Sequence, residues 1–252
     1  MCFVAEVDRL VRLLDRQWVK IEPLLPPARP HARPHRLMVE AMIWVLRTGA
    51  PWRDLPAGYG PWQSVYTRLR RWAARGVLSS LFAALAVEHD SEGYLIDATI
   101  VRAHQDAHGA RMRLGSQEIG RSRGGPTTKI HAVVDALGNP VCFALSPGQT
   151  HEMKLAHQLL ANIANAYVIG DSAYSSLPLT LELEQRGCNV VIASNPTHRR
   201  RRIDRHLYRE RCLVEHFFQR IKRFRRIATR FDKLSSSFLA FLHLAAALVW
   251  LT

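Results

Sequence analysis

The chain has 252 residues, of which 48% are hydrophobic, and carries a formal charge of +14 at pH 7. This length is sufficient for one large domain or two small ones, each with its own core. So high a charge is unusual for an enzyme of small molecules and predicts a polyanionic partner. The strongest apolar run, residues 238–251, is too short to span a bilayer and is interrupted by His243, so we expect a buried helix and no membrane association.

The N-terminal residues and the cysteines bear on cell compartment and redox state. The first residues include acids and lack the basic-then-apolar order of a secretory signal, which predicts a cytoplasmic protein. The four cysteines are scattered without a CxxC pair, which argues against a zinc cluster and against a disulfide framework. We therefore expect reduced, buried thiols.

Residues 7–87 are predicted to be mostly helical. Apolar residues recur at three- and four-residue spacing in residues 7–14, 17–25 and 36–47, and the proline-rich residues 26–36 predict a loop. Residues 62–74 form an amphipathic pattern. One face would carry Trp62, Val65, Leu69 and Trp72, whereas Arg68, Arg70, Arg71 and Arg75 lie mostly off it.

This pattern predicts a small, all-helical domain over residues 1–88 that resembles a helix-turn-helix DNA reader. The basic side of residues 62–74 would then contact DNA through Arg68, Arg70 and Arg71. A packing helix with a solvated basic face is the alternative.

Residues 89–252 have a different pattern. Short apolar runs at 94–101, 129–135 and 141–146 predict three strands, and the polar residues 102–128 between the first two predict a mobile loop. Helices at 151–163 and 177–187 then alternate with strands that end near Asp171 and at 194. A final long helix is expected from about Arg202. The order favours a mixed α/β sheet with helices on both faces.

Two aspartates occupy notable positions in these strands. Asp97 lies in the middle of an apolar strand, where a carboxylate is costly unless it is paired, protonated or bound to a cation. Asp171 lies at the carboxyl end of its strand, where open α/β sheets hold ligands. For either residue alone, a structural ion pair or a helix cap is the competing interpretation.

Glu215 lies in one of the most basic segments, with thirteen Lys or Arg against three acids over residues 199–230. Helical spacing predicts that Tyr208, Arg211, Glu215 and Lys222 share one face, beside an apolar face that packs on the sheet. Together with the two aspartates, Glu215 could hold two Mg²⁺ or Mn²⁺ ions for phosphoryl transfer. Arg211 and Lys222 would bind phosphates of the DNA. Ordinary ion pairs on a solvated helix are the alternative.

The C-terminal pattern YxxRxxxExxxxxxK, from Tyr208 to Lys222, resembles the signature of bacterial insertion-sequence transposases with an Asp-Asp-Glu site, in the family of insertion sequence 5. Further similar segments are LIDATIVRAH, VIGDSAYSS, FRRIATRFDKL and WVLRTGAPWRDLPAGYGPWQSVYTRLRRWAARG. The likeness extends from about residue 15 to the end. His216 departs from the pattern, because many relatives have arginine there.

The resemblance implies an RNase H-like catalytic domain over residues 89–252, with Asp97, Asp171 and Glu215 as catalytic and metal-binding residues. It also implies cleavage at terminal inverted repeats and transfer of the freed 3′-ends into target DNA. Tyr208, Arg211 and Lys222 would contact DNA. A homo-oligomer is expected, because two element ends must meet.

Three other functions remain as hypotheses. A non-catalytic DNA-binding descendant would keep the basic helices and lose the acids, and all three acids are present. A structure-specific nuclease would use the same sheet and metals without strand transfer. A covalent recombinase would use Ser172 or Tyr174 as its nucleophile.

Overall fold

A computed structural model describes residues 10–28, 32–110, 115–194 and 203–252. The chain forms two compact units. The helical unit takes in the described residues of Met1–Val87, His104–Arg111 and Ile221–Thr252, and the sheet unit takes in those of Glu88–Ala103 and Met112–Arg220. The predicted division of function between residues 1–88 and 89–252 stays a prediction.

The helical unit contains three of the four helices that the sequence predicts over residues 7–74. Its helices are α1 Asp15–Ile21, α2 His35–Thr48, α3 Trp62–Ala74, α4 Val77–Leu85, α9 Arg225–Ala228 and α10 Ser235–Trp250. Residues 10–14 of the first predicted helix are not helical, and the rest of that prediction lies outside the described residues. Pro23 follows the end of α1 inside a short 3₁₀ turn, since proline cannot continue the hydrogen-bond ladder of an α-helix. In α3, Val65, Leu69 and Trp72 are buried, as the spacing predicts.

The connections around α3 differ in length. Residues 49–61 join α2 to α3 through two short 3₁₀ helices, whereas only Arg75 and Gly76 separate α3 from α4. Gly76 adopts a left-handed conformation with φ of 68°, which permits this tight turn. The short turn typical of helix-turn-helix units therefore follows α3 and does not precede it.

Helix α10 supplies much of the core of the helical unit. It buries ten of its side chains, including Phe238 and Phe241. The Phe241 ring stacks on the Trp52 ring, with centroids 6.0 Å apart. The expected buried helix at the C-terminal end is thus present and begins three residues earlier than the apolar run. In the part of the chain that the structure describes, no helix is both long and apolar enough to cross a membrane.

A buried ion pair lies between α9 and α10. The Arg226 guanidinium donates to both carboxylate oxygens of Asp232, at 3.0 Å from Nε and 2.9 Å from Nη2, and both side chains are at most 5% exposed. The same guanidinium lies 5.5 Å from the Phe241 ring centroid and 5.8 Å from that of Trp52. The pair therefore joins the α9 segment to the aromatic core.

The sheet unit contains the predicted mixed sheet. Its strands are β1 Gly93–Ala103, β2 Gly120–Ser122, β3 Gly125–Asp135, β4 Pro140–Pro147, β5 Tyr167–Gly170 and β6 Asn189–Ile192. β3 pairs antiparallel with β1, β2 and β4, whereas β5 runs parallel to both β1 and β6. The order β4-β3-β1-β5-β6, with three antiparallel strands followed by two parallel ones, is that of an RNase H-like sheet and confirms the predicted fold.

The predicted mobile loop over residues 102–128 is partly wrong. It contains β2 and the first four residues of β3. Thr127 and Thr128 pair with Arg102 and Val101 of β1, so strand pairing extends the hairpin beyond the polar residues that suggested a loop. β-Branched threonines favour a strand here, whereas the neighbouring glycines favour a loop.

Helices cover both faces of the sheet. α5 Met153–Leu159 and α6 Leu177–Gln185 share a buried apolar cluster with Ile96 and Val133. Cys142 and Ala144 of β4 pack against that cluster, whereas the intervening Phe143 stacks on Phe217 of helix α8 Cys212–Lys222, at 5.7 Å between ring centroids. Because side chains alternate along a strand, α8 covers the opposite face.

The predicted single long helix from Arg202 is wrong. The chain instead forms α7 Arg205–Arg209 and α8 Cys212–Lys222, with Glu210 and Arg211 between them. At the break, the Arg211 amide donates to the Tyr208 carbonyl and the Leu213 amide to the Glu210 carbonyl, which are three-residue bonds in place of the four-residue bonds of an α-helix. Tyr208 and Glu215 therefore lie in different helices, and the prediction that they share one face of a continuous helix is wrong.

The buried Arg226–Asp232 pair yields a stability prediction. Asp232→Asn leaves the guanidinium buried without a counter-charge, and we expect it to lower the free energy of unfolding by about 3–5 kcal/mol. Asp15→Asn is the matched control, because Asp15 is 88% exposed in its bond with Arg36; we expect little change. Urea unfolding of both variants measures the difference, and equal losses would contradict this account of the core.

His131 yields a pH prediction. It lies fully buried in β3, its Nε2 is 2.8 Å from Ser146 Oγ, and burial lowers its pKa to about 4. The unfolded chain takes up a proton near pH 6.5 and the folded chain does not, so stability is complete above pH 6.5 and falls as the pH drops towards 4. The loss amounts to at most about 3 kcal/mol for this group. We expect His131→Gln to flatten the dependence of urea-unfolding free energy on pH in this range; an unchanged slope would rule out this role for His131.

Candidate active site

Three carboxylates from different parts of the sheet unit lie together. Asp97 is in β1, Glu152 directly precedes α5, and Asp171 directly follows β5. Each offers an oxygen, and the three oxygens are all within 4.8 Å of one another. Such a group of hard oxygen donors is suited to a divalent cation.

Strand pairing explains why Asp97 and Asp171 meet. β1 and β5 are parallel neighbours, and Leu95 lies opposite Ile169. Asp97 and Asp171 are each two residues further on, so both reach the edge at which β5 ends. The predicted proximity of these two aspartates is therefore a consequence of sheet topology.

Asp97 is held in a half-buried position with its side chain 15% exposed. Its Oδ1 accepts a hydrogen bond of 2.8 Å from the Ala98 amide, and its Oδ2 lies 3.4 Å from Arg211 Nη1. Burial raises the pKa of Asp97 to about 6; the Ala98 amide and Arg211 oppose this rise, whereas the charges of Asp171 and Glu152 add to it. The site therefore disfavours the accumulation of negative charge unless a cation compensates it.

Asp171 is oriented by the backbone that follows it. It caps the 3₁₀ turn Ser172–Tyr174, and its Oδ1 accepts a hydrogen bond of 2.8 Å from the Ala173 amide. This bond fixes the carboxylate beside Asp97. The helix-cap interpretation and the ligand interpretation of Asp171 are thus compatible, because the cap uses one of two oxygens.

Glu152 is the carboxylate that sequence reasoning missed. Its Oε1 is 3.0 Å from the Lys129 ammonium, which also donates to the Thr150 carbonyl at 2.9 Å. Lys129 belongs to a strand whose last nine residues are all buried. A lysine inside so buried a strand requires a nearby carboxylate, and this signal could have drawn attention to Glu152.

Glu215 is connected to the aspartates through a cation. Arg211 Nη2 donates to Glu215 Oε1, and the same guanidinium contacts Asp97. Among the described residues, Glu215 is not part of the group of carboxylates within 4.8 Å. The structure therefore brings Asp97 and Asp171 together, and the Arg211 guanidinium bridges Asp97 and Glu215.

Tyr174 ends the 3₁₀ turn that Asp171 caps. Its side chain is fully buried, and its hydroxyl has no hydrogen-bond partner among the described residues. Burial raises the pKa of this hydroxyl, and the negative charges of Glu152, Asp97 and Asp171 raise it further. The hydroxyl is therefore within the electrostatic reach of all three carboxylates.

The residues predicted to contact DNA are found in two places. In α3, Arg70 and Arg71 are exposed, whereas Arg68 is half-buried, with its Nη1 2.7 Å from His35 Nδ1. Tyr208 and Lys222 are half-buried in α7 and α8.

A groove in the helical unit passes along α3. Its volume is about 390 Å³. It is lined by Arg33, Met38, Gln63, Ser64, Thr67, Arg68 and Arg71.

Curated relatives align with parts of the chain. A protein of Sinorhizobium fredii, "Uncharacterized protein y4sN", is 42% identical over 109 residues, which are 42% of this chain and 87% of that protein. A protein of Brucella ovis, "Putative transposase for insertion sequence element IS6501", is 40% identical over 136 residues, which are 50% of this chain and 98% of that protein.

Among solved structures, the chain is similar to the piggyBac transposase in a synaptic complex with hairpin DNA. The match has 14% identity and a TM-score of 0.37, and it covers 54% of this chain and 31% of that one. The chain thus spans about a third of the piggyBac chain. The fold assignment rests on the strand order above.

Two family models cover most of the chain. "Putative transposase of IS4/5 family" matches residues 13–82, and "Transposase DDE domain" matches residues 88–250. These matches confirm the resemblance that the sequence motifs predicted. The chain belongs to the family of metal-dependent transposases with a DDE domain, and its N-terminal part matches the IS4/5 family of these enzymes.

Proposed function

We propose that the chain cuts DNA at the terminal inverted repeats of an insertion sequence and joins the freed 3′-ends to target DNA, with Asp97, Asp171 and Glu215 as its catalytic residues. The observation that supports this most is the meeting of Asp97 and Asp171 at the edge of an RNase H-like sheet. Glu215 is one guanidinium away from them, on the helix that covers one face of that sheet.

The donor set fits a divalent metal. All three grouped ligands are carboxylates, they are half-buried, and two of them are oriented by backbone amides. Oxygen ligands of this kind suit Mg²⁺ or Mn²⁺ better than zinc or copper, which favour nitrogen and sulfur. Two bound ions would activate the attacking water or 3′-hydroxyl and stabilise the leaving oxygen.

Arg211 pairs with two of the proposed ligands. Its guanidinium compensates the charges of Asp97 and Glu215, which would otherwise repel each other. In the loaded site the guanidinium is no longer needed for this purpose and can donate to a phosphate, the role that the sequence predicts for it. Arg211 would thus stabilise the site before loading and contact DNA afterwards.

DNA binding would extend to the helical unit. The groove along α3 presents three arginines beside the polar side chains of Gln63, Ser64 and Thr67, a combination suited to phosphates and base edges. We propose that the element ends are bound here through Arg68, Arg70 and Arg71, by more than one subunit because two ends must meet. The protein would work in the bacterial cytoplasm, where its DNA is.

Removing a proposed metal ligand should abolish cleavage without abolishing binding. We expect Glu215→Gln and Asp97→Asn to lower the nicking rate of a labelled element-end duplex in Mg²⁺ by more than about 100-fold. Affinity for the duplex should stay within a few-fold, because the carboxylates do not contact phosphates directly. Denaturing gels measure cleavage, and fluorescence anisotropy in Ca²⁺ measures binding.

Glu184→Gln is the control, because it removes an equally charged but exposed carboxylate of α6. We expect it to cleave like the unmodified protein, and EDTA to stop both. Wild-type-like cleavage by Glu215→Gln would remove Glu215 from the proposed triad, and cleavage that survives EDTA would exclude a metal mechanism altogether.

The groove along α3 yields a prediction about salt dependence. Arg71 is exposed and lines the groove, so Arg71→Ala should reduce the slope of log affinity against log salt by about 1, because one phosphate contact is lost. Arg47→Ala removes the same charge from an exposed position in α2 outside the groove and should leave the slope unchanged. Equal slopes for the two variants would show that the groove does not bind DNA.

A further inference from the structure

We propose that Glu152 is a fourth metal-binding carboxylate of this site and that the Tyr174 hydroxyl is a positioning group that donates a hydrogen bond into it. This inference rests on the proposed function, because it concerns the same metals. It adds two residues to the three that the Asp-Asp-Glu pattern identifies.

The distances place Glu152 inside the site and not beside it. Its carboxylate is within 4.8 Å of both aspartates, whereas Glu215 is turned towards Arg211. Lys129 takes only Oε1 of Glu152, and the described residues donate no hydrogen bond to Oε2. One oxygen of Glu152 therefore remains for a ligand.

Tyr174 provides independent support. A phenol that is buried without a partner loses its hydrogen bond to water and gains nothing in exchange, which is costly. Tyr174 ends the turn that Asp171 caps, and its amide donates to the Asp171 carbonyl, so an oxygen bound at the site, such as a metal-bound water, would accept a hydrogen bond from its hydroxyl. The unsatisfied hydroxyl is explained if the site is completed only when a cation and its water are bound.

The excess of negative charge at the site also favours bound divalent cations. Four carboxylates, those of Asp97, Glu152, Asp171 and Glu215, are accompanied by two cations, Lys129 and Arg211. When all are ionised, two negative charges are left over in a half-buried place. Divalent cations would compensate these charges, and Lys129 would orient Glu152 without neutralising the whole group.

The first test measures Mn²⁺ binding to the full chain without DNA, from the free-ion signal in electron paramagnetic resonance. We expect Glu152→Gln to weaken Mn²⁺ binding at least 10-fold. Lys129→Met removes the partner of Glu152 and also a competing positive charge, so it should bind Mn²⁺ at least as tightly as the unmodified protein. Glu184→Gln should bind normally.

The two variants separate a ligand from a structural ion pair. If Glu152 served only to pair with Lys129, both variants would weaken Mn²⁺ binding equally, and that result would overturn the proposal. Unchanged binding by Glu152→Gln would overturn it as well, even if Glu215→Gln abolished cleavage and so upheld the triad. Circular dichroism of each variant confirms that its fold is retained.

Tyr174→Phe tests the hydroxyl without removing the ring. The melting temperature of the metal-free variant should not fall, because the hydroxyl has no partner to lose. Added Mn²⁺ should raise the melting temperature of this variant less than that of the unmodified protein, because one hydrogen bond of the loaded site is missing. Equal Mn²⁺-induced shifts would show that the hydroxyl takes no part in the site.

Discussion

Mutual repulsion among carboxylates is the constraint on which this site depends. Asp97, Glu152 and Asp171 are held within 4.8 Å of one another, and burial together with the charges of the other two acids raises the pKa of Asp97 to about 6. Folding would not bring such groups together for stability, because each adds to the cost of charging the others. The arrangement suits a bound divalent cation, as the proposed function requires.

Strand pairing, backbone hydrogen bonds and two cations hold the acids together despite their mutual repulsion. Parallel pairing of β1 with β5 aligns two of the acids, and the backbone amides of Ala98 and Ala173 orient them. Arg211 and Lys129 each compensate part of the negative charge from outside the group. In the helical unit, by contrast, Arg226 and Asp232 form a complete buried pair. The acid group differs from this pair because its four carboxylates, including Glu215, are accompanied by two cations among the described residues, Lys129 and Arg211.

The sequence predicted the chain order of strands and helices in the sheet unit, a strand around Asp97, a strand that ends near Asp171 and a helix around Glu215, because strand and helix periodicity are local signals. It did not predict the break at Glu210 and Arg211, which depends on a local change to three-residue hydrogen bonds. It also missed Glu152, because the residue directly precedes a helix and becomes significant only when the turn after β4 brings it to β1. The extension of β3 to Gly125 was likewise hidden, since pairing with β1 up to Thr127 and with β2 at Gly125 outweighs the local glycine signal.

The most direct measurement of the central claim is anomalous scattering from Mn²⁺ in crystals of the full chain. We expect a manganese peak beside Asp97 and Asp171, with the Arg211 guanidinium displaced from Asp97. A saturating concentration of Mn²⁺ that leaves no peak at these aspartates, with the Arg211 contacts to Asp97 and Glu215 intact, would contradict it.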